Sequence, residues 1–119
     1  MNKNLNIEEM LKLSQLLWEQ NKENWSPMEP SYSKDFLLYL VEELGEVIAI
    51  IKKKGTDSIM EDKIIRERFI EEMGDVLMYY MDVLNRLKIT AEEFSEIYIK
   101  KYEKNMNRNY EKEYKTYQI

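Results

Sequence analysis

Two short acidic patterns carry the chemistry most open to this chain: Glu43-x-x-Glu46 and, after 25 intervening residues, Glu72-x-x-Asp75. Each lies in a near-copy of one hexad. Glu42-Glu43-Leu44-Gly45-Glu46-Val47 recurs 29 residues later as Glu71-Glu72-Met73-Gly74-Asp75-Val76. Acids at i and i+3 of a helix stand about 5–6 Å apart on one face, and packed helix axes lie about 8–10 Å apart. Two such helices can therefore gather four carboxylates around one small volume. An ordinary solvated acidic face supplies basic partners at i+3 or i+4. Here the i+4 neighbours are Val47, Ile50, Val76 and Tyr79, and only Arg68, four residues before Glu72, offers a local partner. Carboxylates in such company repel one another and shift their pKa values unless a cation joins them. An all-oxygen ligand set selects a hard ion, Mg²⁺ or Mn²⁺ in its place. A divalent-cation site and a plain charged face are the two readings.

Composition narrows the chemistry further. The 119 residues include no Cys and no His. Thiol nucleophiles, disulfides, zinc–thiolate sites, His-based triads and His-ligated metals are all excluded. Catalysis must rest on carboxylates, Lys, Arg, Tyr and hard cations. The net charge of −5 is uneven, because residues 100–115 hold six basic and three acidic side chains. An acidic body argues against nucleic acid as a partner, while a basic C-terminal helix suits phosphates. No apolar run approaches the roughly 18 residues of a membrane span, and the opening residues lack the apolar stretch of a signal peptide. The expectation is a cytoplasmic protein with no membrane partner.

The elements that must position these acids read as four helices in one domain, 1–119. With 34% charged residues and only three Gly and two Pro, long helices are favoured over a turn-rich all-β fold. Asn6-x-x-Glu9 predicts a capping box for the first helix. Trp25-Ser-Pro-Met-Glu-Pro30 is a loop, since its prolines stop helices. The second helix is predicted from Ser31 or Ser33 to Lys52-Lys53-Lys54 and Gly55, a cationic last turn with a C-terminal glycine. Ser58-x-x-Glu61 is expected to open the third, running to about Lys88, and Thr90-Ala-Glu-Glu93 the fourth, ending past Tyr110. The tail from about Glu111 is expected to be loose. Short connections imply antiparallel neighbours.

By helical phase, Leu37, Leu40, Val41, Leu44, Val47, Ile48 and Ile51 form a core stripe on the second helix, with Glu43 at its edge beside Phe36 and Tyr39. The third helix has an equivalent stripe around Met73, and Glu72, Asp75 and Tyr79 take the matching flank. Gly45 and Gly74 each cost about 1 kcal/mol in a helix interior, which implies close helix approach or access to the acids. The second helix is apolar almost all round, so a partner chain is expected to cover what one bundle leaves exposed.

The paired Glu43-x-x-Glu46 and Glu72-x-x-Asp75 patterns resemble the signature of the MazG-like all-α NTP pyrophosphohydrolases. This superfamily includes dCTP pyrophosphatases, dimeric dUTPases and phosphoribosyl-ATP pyrophosphatases. The likeness covers about residues 7–110. It implies a four-helix MazG-like bundle of antiparallel helices, completed by oligomerisation to a homodimer or a dimer-of-dimers homotetramer. The implied activity is house-cleaning hydrolysis of a (deoxy)nucleoside triphosphate to the monophosphate and pyrophosphate. Mg²⁺, with Mn²⁺ as a substitute, would be held by Glu43, Glu46, Glu72 and Asp75, and Glu46 is the candidate to orient the attacking water.

Lys101, Lys104, Asn105 and Arg108 repeat on one helix face, similar to the C-terminal element of dCTP-pyrophosphatase-like members that reaches the nucleotide. They also fit an ordinary basic face. Trp25 sits where relatives place a base-stacking tryptophan, with a loop anchor as its plain alternative, and Tyr79 is similar to a nucleotide-contacting tyrosine. Trp18 is expected in the core. Leu16 stands where some dCTP pyrophosphatases have His, and Lys53 near a second stacking Trp, so the broader MazG-like group is favoured over dCTP specificity. A non-enzymatic helical docking module and a phosphoribosyl-ATP pyrophosphatase are the alternatives.

Overall fold

The computed structural model describes residues 4–108. Among them are four α-helices and no strand: α1 (Ile7–Asn21), α2 (Ser33–Glu61), α3 (Lys63–Arg86) and α4 (Ala91–Met106), with a 3₁₀ turn at Pro30–Tyr32 before α2. The expected looseness from Glu111 lies outside the described residues. The chain divides into two compact units, Met1–Ile89 and Thr90–Ile119.

Local signals explain most boundaries. The Asn6 side chain accepts from the Glu9 amide at 2.8 Å and the Glu9 carboxylate accepts from the Asn6 amide at 3.2 Å, completing the capping box. Thr90 caps α4 through the Glu93 amide at 3.1 Å. Two boundaries differ from expectation. The opening of the third helix is Asp62 rather than Ser58, because the Asp62 carboxylate accepts from the amides of Ile64 and Ile65. Residues 56–61 instead continue α2 beyond a break at Gly55, whose φ of 80° suits glycine. The fourth helix ends at Met106, not past Tyr110, where Asn107 donates back to Glu103 and Lys104.

Within the first unit, α2 lies along α3 and α1 packs on α3. The early residue Phe36 meets the late Tyr79 and Arg86, while the later Glu46 meets the earlier Glu72. The Asn85 side chain donates to the Leu11 carbonyl at 2.9 Å, tying α3 to α1.

The packed face of α2 is not the expected one. Phe36, Val47 and Ile50 are buried and Glu43 is half-buried, so the buried face centres on the Glu43 side. Leu37, Val41, Leu44, Ile48 and Ile51 are exposed, Val41 at 61%. Ile70, Met73 and Leu77 of α3 are exposed as well. Rotation by roughly a quarter turn turns the acids inward, toward the partner helix. The same rotation leaves Gly45 and Gly74 in open space, with nothing within 4 Å of an added Cβ. Close helix approach within the chain therefore does not explain them.

Candidate functional site

The inward turn of α2 and α3 brings the acidic hexads face to face. Carboxylate oxygens of Glu43, Glu46 and Glu72 all lie within 4.8 Å of one another. Glu43 and Glu72 are half-buried and Glu46 is exposed. One oxygen each of Glu43 and Glu72 is buried with no hydrogen-bond partner. Buried acceptors without donors cost free energy, and an oxygen-binding cation removes that cost. Asp75 stands outside the tight trio but near enough for its charge to act on both Glu43 and Glu72.

The electrostatics follow from this crowding. Burial, then the charge of Glu46 and hydrogen bonding to Glu72, raises the Glu43 pKa from its ordinary 4.5 to about 7. Glu72 is raised as well, first by burial and then by Glu46. The Tyr79 phenol is raised by burial, with Glu43 and Asp75 adding to it, and stays a proton donor at neutral pH.

Two cavities flank the acids. One, of about 670 Å³, is mainly apolar and is walled by Trp25, Phe36, Tyr39 and Tyr79, with Glu43 and Asp75 at its acidic end. Phe36, Tyr39 and Tyr79 form a mutual aromatic cluster with ring centroids 5.2–6.2 Å apart. The other cavity meets the acids at Glu46 and Glu72 and is rimmed by Lys53, Lys54 and Arg68. A carboxylate cluster able to hold a cation, between an aromatic chamber and a basic one, suits a ligand with a flat ring at one end and anionic groups at the other.

A family model described as the MazG nucleotide pyrophosphohydrolase domain matches residues 32–109. The chain belongs to this family. The matched segment runs through both acidic hexads and α4 and supports a nucleotide pyrophosphohydrolase in general terms. Comparison with curated proteins and with solved structures returns no match.

Of the residues singled out in the sequence, Glu43, Glu46 and Glu72 are brought together, Asp75 stands beside them, and Trp25 and Tyr79 face the adjoining chamber. Lys101, Lys104, Asn105 and Arg108 belong to the second unit. There both lysines are exposed and the Arg108 guanidinium donates to the Asn105 side chain at 3.4 Å. Trp18 is half-buried and its indole N–H donates to the Ser26 carbonyl at 2.8 Å. Sequence reasoning misses the Asp82–Arg86 pair, of which Asp82 lines the chamber. Its only sequence trace is acid–base spacing at i and i+4.

The raised Glu43 pKa has a measurable consequence. Between 4.5 and about 7 the folded, metal-free chain holds a proton on Glu43 that the unfolded chain has released. Its contribution to stability is therefore full below that window and lost as pH rises through it. A cation binds the ionised form, so its stabilising effect grows over the same window. The rise in melting temperature given by Mg²⁺ is expected to be larger at about pH 8 than at about pH 5. Glu43→Gln should remove most of that difference.

Proposed function

We propose that this chain is a cytoplasmic house-cleaning enzyme that hydrolyses (deoxy)nucleoside triphosphates to the monophosphate and pyrophosphate. The observation that carries this reading is the trio of carboxylates, two with a buried partnerless oxygen, of which Glu43 lines the aromatic chamber and Glu46 and Glu72 line the basic one. Glu43, Glu46, Glu72 and Asp75 would hold Mg²⁺. When bound, it supplies the positive charge that an acidic site needs to accept a polyphosphate and to stabilise the charge of its transition state.

The remaining work falls to the chain's own residues. Trp25 and Tyr79 hold the base in the chamber. Lys53, Lys54 and Arg68, on the far side of the acids, are suited to the outer phosphates. Glu46, the exposed acid, takes a proton from the water that attacks the α-phosphorus, as the bond to the bridging oxygen breaks and pyrophosphate leaves. Lys101, Lys104, Asn105 and Arg108 are assigned to substrate binding on the family resemblance and the family match, which extends over α4. Treating 1–119 as one MazG-like domain is part of the same proposal, and the family match covers residues 32–109 of it.

A panel of nucleoside triphosphates and phosphoribosyl-ATP, scored for pyrophosphate release with Mg²⁺ and with chelator, tests the reading. Release from at least one triphosphate, abolished by chelation, is expected. A docking module would release none, and its melting temperature would ignore Mg²⁺.

The same proposal includes an antiparallel four-helix bundle completed by self-association to a dimer or a dimer of dimers. Its support is the exposed stripe of Val41, Leu44 and Ile48 on α2 with Ile70 and Met73 on α3. Patches of this kind are rare on monomers. Light scattering at micromolar concentration should show at least a dimer, and the double variant Val41→Lys, Ile48→Lys should show a monomer. A monomeric parent protein would sink the idea.

A further inference from the structure

Among the described residues, Arg86 is the large side chain that is completely buried, and it does not line the chamber. Its contacts nevertheless reach three parts of the chamber wall. The guanidinium donates to the Asp82 carboxylate through Nε at 2.5 Å and through Nη2 at 3.4 Å. Nη1 donates to the carbonyls of Ser26 and Pro27, in the loop that carries Trp25. The same guanidinium stacks on Phe36, 3.7 Å from the ring centroid. Phe36 in turn packs edge-on against Tyr39 and tilted against Tyr79.

The alternatives for such a residue are few. A lone arginine needed only for solubility would sit in water, and one needed only to neutralise Asp82 would not aim its other nitrogens at loop carbonyls. The loop has weak ties of its own. Besides Arg86, it is held by the Trp18 indole donating to the Ser26 carbonyl, the Trp25 amide to Asn21, the Glu29 amide to Pro27 and the Tyr32 amide to Glu29. A planar fork with five donors can satisfy a carboxylate, two carbonyls and a ring face at once, which an ammonium cannot.

We propose that Arg86 is a positioning residue for nucleotide binding. It holds the Trp25 loop and the Phe36–Tyr39–Tyr79 cluster in the arrangement that receives the base, with Asp82 fixing the guanidinium. This rests on the reading of the chamber as the base end of a nucleotide site. Binding to a wall that must be ordered anew each time loses affinity, whereas the chemistry at the carboxylates is untouched.

The test uses Arg86→Lys, which keeps the charge and loses the fork, at a temperature where circular dichroism shows it folded. The KM for the best triphosphate should rise about tenfold, the size expected when two or three binding side chains must be re-ordered, while kcat stays nearly unchanged. Inhibition by the product nucleoside monophosphate should weaken in parallel, and inhibition by inorganic pyrophosphate should not. An unchanged KM overturns the proposal, and so does an equal loss in kcat, KM and both inhibitions, which marks general loosening. If the parent protein releases no pyrophosphate, the enzymatic reading fails separately, and calorimetry with a nucleoside monophosphate decides this one. Binding by the parent that is weakened in Arg86→Lys keeps the clamp; equal binding, or none by the parent, removes it.

Discussion

Glu43→Gln is expected to lower Mg²⁺-dependent pyrophosphate release by about two to three orders of magnitude, while making the metal-free protein more stable. The first effect follows from the main catalytic device open to a chain without His or Cys. Without His or Cys, charge stabilisation at the carboxylates must do most of the work, and losing one such contact typically costs 10²–10³-fold, as an order-of-magnitude guide. The second effect follows from the geometry. In the metal-free chain three carboxylates crowd within 4.8 Å, and Glu43 and Glu72 each bury an oxygen without a donor. Above about pH 7, where Glu43 is ionised, a glutamine of the same shape removes one charge and brings an N–H₂ donor that can reach Glu46 or Glu72. Opposite signs in the two measurements separate a metal site from a structural acidic face, where small losses of stability and no selective loss of activity are expected. Asp75→Asn should also lose activity, with a smaller gain in stability, because Asp75 lies outside the tight trio. Kinetics of pyrophosphate release and thermal melts in chelator, on the same preparations, check both. Near-full activity in either variant would remove the site assignment.

The acids were legible because their signal is local. Two hexads of matched phase, with apolar residues where basic partners belong, identify the same side of two helices whatever those helices touch. The caps at Asn6 and Thr90 were legible for the same reason, since a cap is made within four residues. The packing phase was not. Hydrophobic periodicity ranks faces by apolar content, and the richest stripe of α2 is the one this chain leaves exposed. Phe36, Val47 and Ile50 with Glu43 make a poorer stripe, yet that is the side that packs on α3. A helix apolar nearly all round offers more than one face for packing, and its sequence does not say which one meets α3. The start of α3 was misplaced because Ser58-x-x-Glu61 and Asp62 both offer caps, and only the backbone break at Gly55 decides between them. Arg86 left no trace beyond a spacing, because its role depends on the Ser26 and Pro27 carbonyls, about 60 residues away in sequence.

Arg86→Met is expected to cost about 3–5 kcal/mol of stability, the usual result of removing one partner from a buried ion pair. Arg86 is wholly buried and Asp82 nearly so, hence the substitution strands a carboxylate away from water and leaves the Pro27 carbonyl without its donor. In the intact chain burial already raises the Asp82 pKa, with Arg86 pulling the other way. Once Arg86 is gone, nothing opposes the rise. The folded variant then favours the protonated acid, so its deficit relative to the parent should shrink as pH falls toward about 5. The double variant Asp82→Leu, Arg86→Met should recover most of the loss, since a well-packed apolar pair often matches a buried ion pair in stability. That recovery would not extend to nucleotide affinity, because no guanidinium would remain to hold the loop beside Trp25. Urea denaturation of the parent, Arg86→Met and the double variant across pH measures these differences. A loss below about 1 kcal/mol for Arg86→Met, the level of an exposed pair, would show that Asp82 and Arg86 are not coupled as their geometry implies.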